Sequence, residues 1–526
     1  MRRVAPRKRG ALRRAVRAGA GAPLAFGAAC AMLAMGAQAA SWTFTPSVNA
    51  RETYTTNVNP GTTGQGGNGS FVTNVGAALA FRGQGARFTL SGNIAANAVY
   101  YTGNTRYNTI YPNANIRGNL EAIEDFFFID AFASVSQTFI SPFGPQPGDL
   151  AVATVNRSTS QVYGVSPYIQ GVIGGSNVSY LVRNDNIWSF PYTSGNPANV
   201  NLGNFYNSRW TARLTAPATP LGWTAEYLRN ELDYQDQARN YLLEQARLIV
   251  PYQVNPQFQV SARGGYEHNK FPLTDYSGAI YGAGLEWRPT ERTSLGGYWE
   301  HRFFGSSYQA SFSHRRPLSA ISVTAYRGIN TYPSNAFTIP AGVSVAQSLD
   351  AAFTTRIPDP VERAQAVQQF LLATGLPPVL TSPLNFYTQR LLLQQGANAT
   401  LSLIGARNVV AWTIFNVKSE SITASGTPLP PQLQFGNDNT QTGTGLTFSH
   451  RLTQVTSVNA TANWWRTESN IQTSVRSTNQ SATLTLNTSF SPKTSGSTGL
   501  YYYVFDPSIG TRSNSLNIFA AVNHTF

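Results

Sequence analysis

Apolar and polar residues alternate one for one along most of this chain, in short runs broken by turn-forming clusters. In SATLTLNTSF (481–490), Ala482, Leu484, Leu486 and Phe490 share one face. Ser481, Thr483, Thr485, Asn487 and Ser489 share the other. Successive side chains of a strand point to opposite sides, so this period predicts strands with one apolar and one water-facing side. Tyr281, Ala283, Leu285 and Trp287 alternate in the same way with Gly282, Gly284, Glu286 and Arg288. Val458, Ala460, Ala462 and Trp464 alternate with Asn459, Thr461 and Asn463, and Val409, Ala411, Phe415 and Val417 share a face.

The links between strands come in two kinds. WRPTERTSL, HRRPLSAISV, HRLTQVTSV and SFSPKTSGS each read as a strand end, a tight turn, and a Thr or Ser opening the next strand. Between them lie longer segments rich in Gly and Pro, such as NPGTTGQGGNGS and SPFGPQPGDLAVATVNRSTS. Transmembrane β-barrels show this asymmetry, with short periplasmic turns and long extracellular loops. Counting strands from WTFTPSVNARETYTTNV to the last residue gives about 22, an even number as bacterial barrels require. Charged residues are only 12% of the chain against 12% aromatic. After residue 40 no apolar run is long enough for a spanning helix. The expected fold is therefore an all-β, antiparallel outer-membrane barrel over 40–526. A secreted β-sandwich or β-helix would also alternate, but it explains poorly the scarcity of charge and the turn asymmetry.

The first 39 residues differ. A basic run without acids, MRRVAPRKRGALRRAVRAG, precedes a short apolar stretch and then AQA. This is the pattern of a secretory signal peptide cleaved after Ala39. A lipoprotein reading of Cys30 is weakened by Gly27 three residues earlier. Eight of the 38 basic residues lie in this segment, leaving 30 against 24 acidic residues and a net charge of +6 rather than +14. The basic character thus belongs mainly to the leader, and a nucleic-acid partner loses its support. The only cysteine goes with it. The first strand begins within a few residues of the cleavage site, which leaves no room for the N-terminal plug of a siderophore-type transporter.

At the other end, SLNIFAAVNHTF places Leu516, Ile518, Ala520, Val522 and Phe526 on one face, with a terminal aromatic. This resembles the signal read by the barrel-assembly machinery. His524 departs from it, at a position usually apolar or aromatic. One stretch is helical by its signals: DPVERAQAVQQFLLATG (359–375). Asp359 is an N-cap, Pro360 suits the first turn, and Glu362 completes a capping box. Val367, Phe370 and Leu371 share a face, and Gly375 ends the helix, set at 359–374. Strand parity puts it in the longest extracellular loop, 335–385. Asp359, Glu362, Phe370 and Leu371 are then candidate gating residues if the loop enters the lumen. The alternative is a cap on the rim.

Phase assigns eight charges to the water side: Arg213, Glu226, Arg263, Glu267, Glu286, Arg288, Glu300 and Arg302. They would form a mixed patch on one wall, either a stiffening ion-pair lattice or a field that orients a polar solute. Nothing suggests catalysis, a cofactor or a metal. There is no H-E-x-x-H, G-x-S-x-G or P-loop, and the five histidines are scattered singly.

WTFTPSVNARETYTTNVN, WRPTERTSL and DPVERAQAVQQFLLATGLP together resemble outer-membrane proteins associated with the PEP-CTERM/exosortase system. That resemblance implies a barrel accompanying exopolysaccharide production and PEP-CTERM sorting, with no established activity and so no functional residues to carry over. The barrel pattern, the polar phase and this resemblance together point to a passive or gated pore serving polysaccharide secretion; the alternative is a non-conducting scaffold for export or surface components. The expected partners are outer-membrane lipid, the assembly machinery and polysaccharide or its export components. The expected location is the Gram-negative outer membrane.

Overall fold

The computed structural model describes residues 41–60, 69–103, 105–192, 204–234, 239–271, 275–331, 391–422, 438–472 and 474–526, together with Asp350, Phe353, Arg363 and Val367. The described residues form 22 strands. They are β1 (Ser41–Thr55), β2 (Ser70–Gln84), β3 (Phe88–Tyr101), β4 (Thr109–Ile123), β5 (Phe127–Phe139), β6 (Arg157–Val172), β7 (Ser179–Tyr192) and β8 (Phe205–Ala216). Then come β9 (Trp223–Tyr234), β10 (Arg239–Asn255), β11 (Phe258–Lys270), β12 (Asp275–Thr290), β13 (Thr293–Arg302), β14 (Gly305–Arg316) and β15 (Ser319–Asn330). The last are β16 (Leu392–Ile404), β17 (Asn408–Ser421), β18 (Asn439–Arg451), β19 (Thr456–Ser469), β20 (Arg476–Ser491), β21 (Thr494–Pro507) and β22 (Ser513–Thr525).

Every strand pairs antiparallel with its neighbours in sequence, and β1 also pairs with β22, from Ser47↔Thr525 to Thr55↔Asn517. The ring is closed and has no free edge, which is how a sheet satisfies its backbone groups in lipid. The alternation seen in the sequence becomes an outside and an inside. Phe44, Val48, Leu484, Leu486 and Ile518 are exposed on the outer surface. Trp223 and Trp287 lie outward near the short-turn end, and Tyr54, Phe71 and Tyr100 near the other, as aromatic girdles do. Leu516, Ile518, Ala520, Val522 and Phe526 all face outward, as their phase predicts. An apolar exterior on a closed antiparallel ring is the architecture of an outer-membrane barrel.

The turns on the side of the termini are short throughout, for instance 256–257 between β10 and β11. This is the periplasmic side by the rule for such barrels. The other side carries the long links 56–69, 140–156 and 331–391, but its rim is low between β13 and β14. There the chain reverses through Phe303 and Phe304, helped by the positive φ of Gly305, 91°, which glycine adopts without strain.

One face is the reverse of its expected role. Val409, Ala411, Phe415 and Val417 do share a side of β17, but that side is the lumen wall, where all four are buried. Lipid meets Trp412 and Ile414 instead. The helix of 359–374, its candidate gating residues Asp359, Glu362, Phe370 and Leu371, and the leader 1–39 lie outside the described residues. Within that helix Arg363 and Val367 are helical, and Arg363 Nε donates to Asp350 Oδ1 at 2.7 Å.

The two faces of β20 are directly testable. Leu484→Arg puts a charge into lipid at mid-strand and should cost about 2–4 kcal/mol, whereas Thr485→Arg, one residue on and facing the lumen, should cost far less. Urea titration of the barrel folding into liposomes reads both. Equal costs would mean that the assigned phase of β20 is wrong.

Candidate functional site: the lumen

A loop from the long-link side turns into the barrel. Residues 140–156 leave β5 and return to β6, and their base is tied by one side chain. Asn156 Oδ1 accepts from Ser141 N–H at 2.8 Å, and its Nδ2 donates to the carbonyls of Ser141 and Pro145 at 2.9 and 3.2 Å. Gly144 passes so close that a Cβ there would meet the Asn156 side chain at 2.6 Å. Three prolines, Pro142, Pro145 and Pro147, limit the backbone freedom of the tip.

A backbone segment inside a barrel needs partners for its polar groups. Inward tyrosines and amides supply them. Gln146 N–H donates to Tyr503 Oη at 2.6 Å and to Asn479 Oδ1 at 3.2 Å, and Gly148 N–H donates to Tyr501 Oη at 2.9 Å. Tyr101 Oη donates to the Leu150 carbonyl at 2.9 Å, and Trp465 Nε1 donates to Gln146 Oε1 at 2.9 Å. Apolar residues of the loop find apolar seats. Val152 is buried with Tyr501, Tyr503 and Phe505, while Ala151 and Ala153 pack with Val58, Val72 and Val99.

Asp149 makes the charged contact. Arg51 Nη2 of β1 donates to its Oδ2 at 2.5 Å, and Asn517 Nδ2 of β22 donates to the same oxygen at 3.4 Å. The Arg51 guanidinium also lies 3.9 Å from the centre of the Phe519 ring of β22. The loop therefore starts at β5, grips the seam where the barrel closes, and reaches β19–β21 beyond it. It lies inside the lumen along the consecutive strands from β5 through the seam to β19.

A second structure lines the wall from β8 to β13. Arg213 contacts Glu226 at 2.5 Å, and Glu226 contacts Arg247 at 2.9 Å. Arg247 contacts Glu300 at 3.1 Å, and Glu300 contacts Arg263 at 2.9 Å. The Glu300 side chain is 1% exposed, so its charge depends on the two arginines that hold it. The Arg263 guanidinium also covers the Tyr298 ring at 4.0 Å. Toward the extracellular side, fully buried Glu267 accepts from Arg302 Nη2 at 2.6 Å and from Phe303 N–H at 2.7 Å. Above this pair Phe205, Leu232, Tyr234, Tyr241, Phe271 and Leu391 form an apolar collar. Such a ladder fixes strand positions by charge, under a cover that keeps water from weakening it.

No family model matches this chain, and no curated protein matches it. Solved structures do resemble it. The FrpB iron transporter of Neisseria meningitidis, F5-1 variant in its apoprotein form, superposes with a TM-score of 0.51 at 9% identity, over 92% of this chain and 81% of that one. A further structure of the F5-1 variant gives 0.50 at 8% identity, over 94% and 83%. The siderophore receptor PirA of Acinetobacter baumannii gives 0.47 at 10% identity, over 92% and 80%. At these identities the likeness is one of fold.

Of the eight charges assigned from phase, Arg213, Glu226, Arg263 and Glu300 join one ladder, and Glu267 and Arg302 form the pair above it. Glu286 and Arg288 do not join. They bond each other at 3.4 Å near the short turn, 57% and 70% exposed, where water screens the pair. Sequence reasoning missed Arg247, which links the two halves of the ladder. Its lumen face on β10 also carries Leu243 and Ile249, so alternation there does not single out the charge. It also missed loop 140–156 as the lumen segment. The available signal was DLAVATV, an apolar stretch unsuited to a water-exposed loop, together with Tyr501 and Tyr503 on the polar phase of β21. Among the described residues, no three His, Cys, Asp or Glu side chains cluster so as to hold a metal.

Glu300→Ala leaves Arg247 and Arg263 without their shared anion and should destabilise the barrel by about 3–5 kcal/mol. Glu286→Ala should change stability by no more than about 0.5 kcal/mol. Tryptophan-monitored urea unfolding separates the two. A Glu300 variant as stable as its parent would show that the ladder contributes no stability.

Proposed function

We propose that this protein is an outer-membrane pore for polar solutes, restricted from within by loop 140–156, and that it serves exopolysaccharide export. The observation that carries the pore reading is the loop's attachment inside the lumen to β1, β22 and β19–β21, above a wall of water-exposed polar side chains on β3 and β4. A barrel of this width needs a constriction if it is to be selective. The export role and the link to PEP-CTERM sorting rest on the resemblance of WTFTPSVNARETYTTNVN and DPVERAQAVQQFLLATGLP. No catalytic role is assigned. The restriction is held by the Arg51–Asp149 pair and by the hydroxyls of Tyr101, Tyr501 and Tyr503, so it can be loosened without touching the barrel wall's backbone.

In planar bilayers the protein should conduct, and Asp149→Ala combined with Tyr501→Phe should raise the single-channel conductance. Deleting 355–380 should raise it further if the long loop adds to the restriction. Silence of both the parent and the loosened variant would sink the pore reading. Recovery of polysaccharide-export components with a silent barrel would favour a docking scaffold.

A further inference from the structure

Below the inner loop, the wall formed by β3 and β4 carries an unusual row. Asn93 of β3 sits directly opposite Asn115 of β4, and Asn113 lies next on β4, opposite Ala95. All three amides face the lumen and are exposed to it. Among the described residues none of the three has a hydrogen-bond partner in the protein. Asparagine is a poor strand former, and threonine or valine would make a better wall. Their repeated use here is unexplained by packing.

The neighbours of this row define what it fits. Ala78 and Ala80 of β2 and Ala95 of β3 share the same inward face, so the floor beside the amides is low. Toward the periplasm lies Arg117, exposed and without an acidic partner among the described residues. Toward the loop lies Tyr111, whose ring is 5.3 Å from the Arg157 guanidinium that also holds the Pro147 carbonyl of the loop tip at 2.9 Å. Nearer the periplasmic turns, where β5 meets Glu121 of β4, Phe128 and Tyr168 stack at 5.1 Å between centroids, both half-buried on the lumen wall. Tyr168 is held in place by Asn119, which also donates to Asp130, itself paired with Arg183 at 2.6 Å.

An amide presents a donor and an acceptor side by side, which is also what a pair of vicinal hydroxyls presents. An aromatic face suits the C–H face of a pyranose ring. The lumen-facing charges between the row and the periplasmic turns balance, with Arg82, Arg117 and Arg183 against Glu121, Asp130 and Asp185. A neutral, hydroxyl-rich chain matches this wall better than an ionic solute does.

We propose that Asn93, Asn113 and Asn115, with the Phe128–Tyr168 stack at the periplasmic end of the same wall, form a lumenal binding track for a neutral oligosaccharide chain, running from the periplasmic mouth to the underside of loop 140–156. The assignment of the solute rests on the pore reading above, but the binding track can be measured without it.

Isothermal titration of the detergent-solubilised, folded barrel with maltohexaose provides the test. The parent should bind, and Asn93→Thr/Asn113→Thr/Asn115→Thr should weaken the affinity about tenfold or more, as the loss of several hydrogen bonds implies. Asn487→Thr, on β20 and outside the proposed track, should leave it unchanged. Thermal shifts in gel mobility confirm that each variant is folded. Binding by the parent that the triple variant retains in full would overturn the site. Binding of oligogalacturonate but not of maltohexaose would overturn the neutral class, and binding of neither would overturn the proposal outright. Saccharide binding by a barrel that shows no conductance would leave the track standing and remove the pore reading.

Discussion

The whole molecule depends on the closure of one sheet. Within a bilayer no water is available to an unpaired N–H or C=O, so the first strand must meet the last. Here β1 and β22 do so over Ser47–Thr55, and the seam is reinforced from inside by Asp149 and at its extracellular end by Thr55 and Ser515 hydroxyls 2.9 Å apart. The same requirement acts on the loop that enters the lumen. It has no strand to pair with, and the barrel answers with tyrosine hydroxyls and amides aimed at its backbone. The constriction and the wall are thus solutions to one problem of hydrogen-bond satisfaction.

Around the ring, the interior is divided by chemistry. From β8 to β13 the wall is locked by ion pairs under an apolar collar. On β17 the inward face is apolar and buried. From β19 to β22 it receives the loop. On β3 and β4, below the loop, Asn93, Asn113 and Asn115 stay exposed, with no protein partner for their amides among the described residues. A barrel with uniform walls would be a sieve of one bore; this division gives the lumen one side on which a solute meets unused hydrogen-bonding groups.

Much of this is legible in the sequence. Strand alternation, even parity and short turns on one side give the closed ring and its 22 strands, because those features follow from lipid outside and water inside. The outward faces of β20 and β22 follow from single-residue period alone. What alternation cannot give is which of two faces meets lipid when both are apolar, and β17 shows that limit: Val409 and Phe415 are as apolar as Trp412 and Ile414. Nor does phase reveal the contacts that a lumenal loop makes with strands far from it in sequence. Asp149 and Arg51 are 98 positions apart and lie on separate elements, so only folding brings them together. The ladder was partly readable because its charges sit on consecutive strands. Arg247 was hidden among Leu243 and Ile249.

The position of Asp149 in the chain has a consequence for biogenesis. It lies in the link between β5 and β6, yet one of its partners, Asn517, is 368 residues later, on the strand that completes the ring. Gln146 and Gly148 likewise wait for Tyr503 and Tyr501. The loop cannot take its final seat until the C-terminal strands have been inserted. The narrow bore is therefore a product of the last assembly step, and an unfinished barrel lacks it. In this design the filter doubles as a record that closure has taken place.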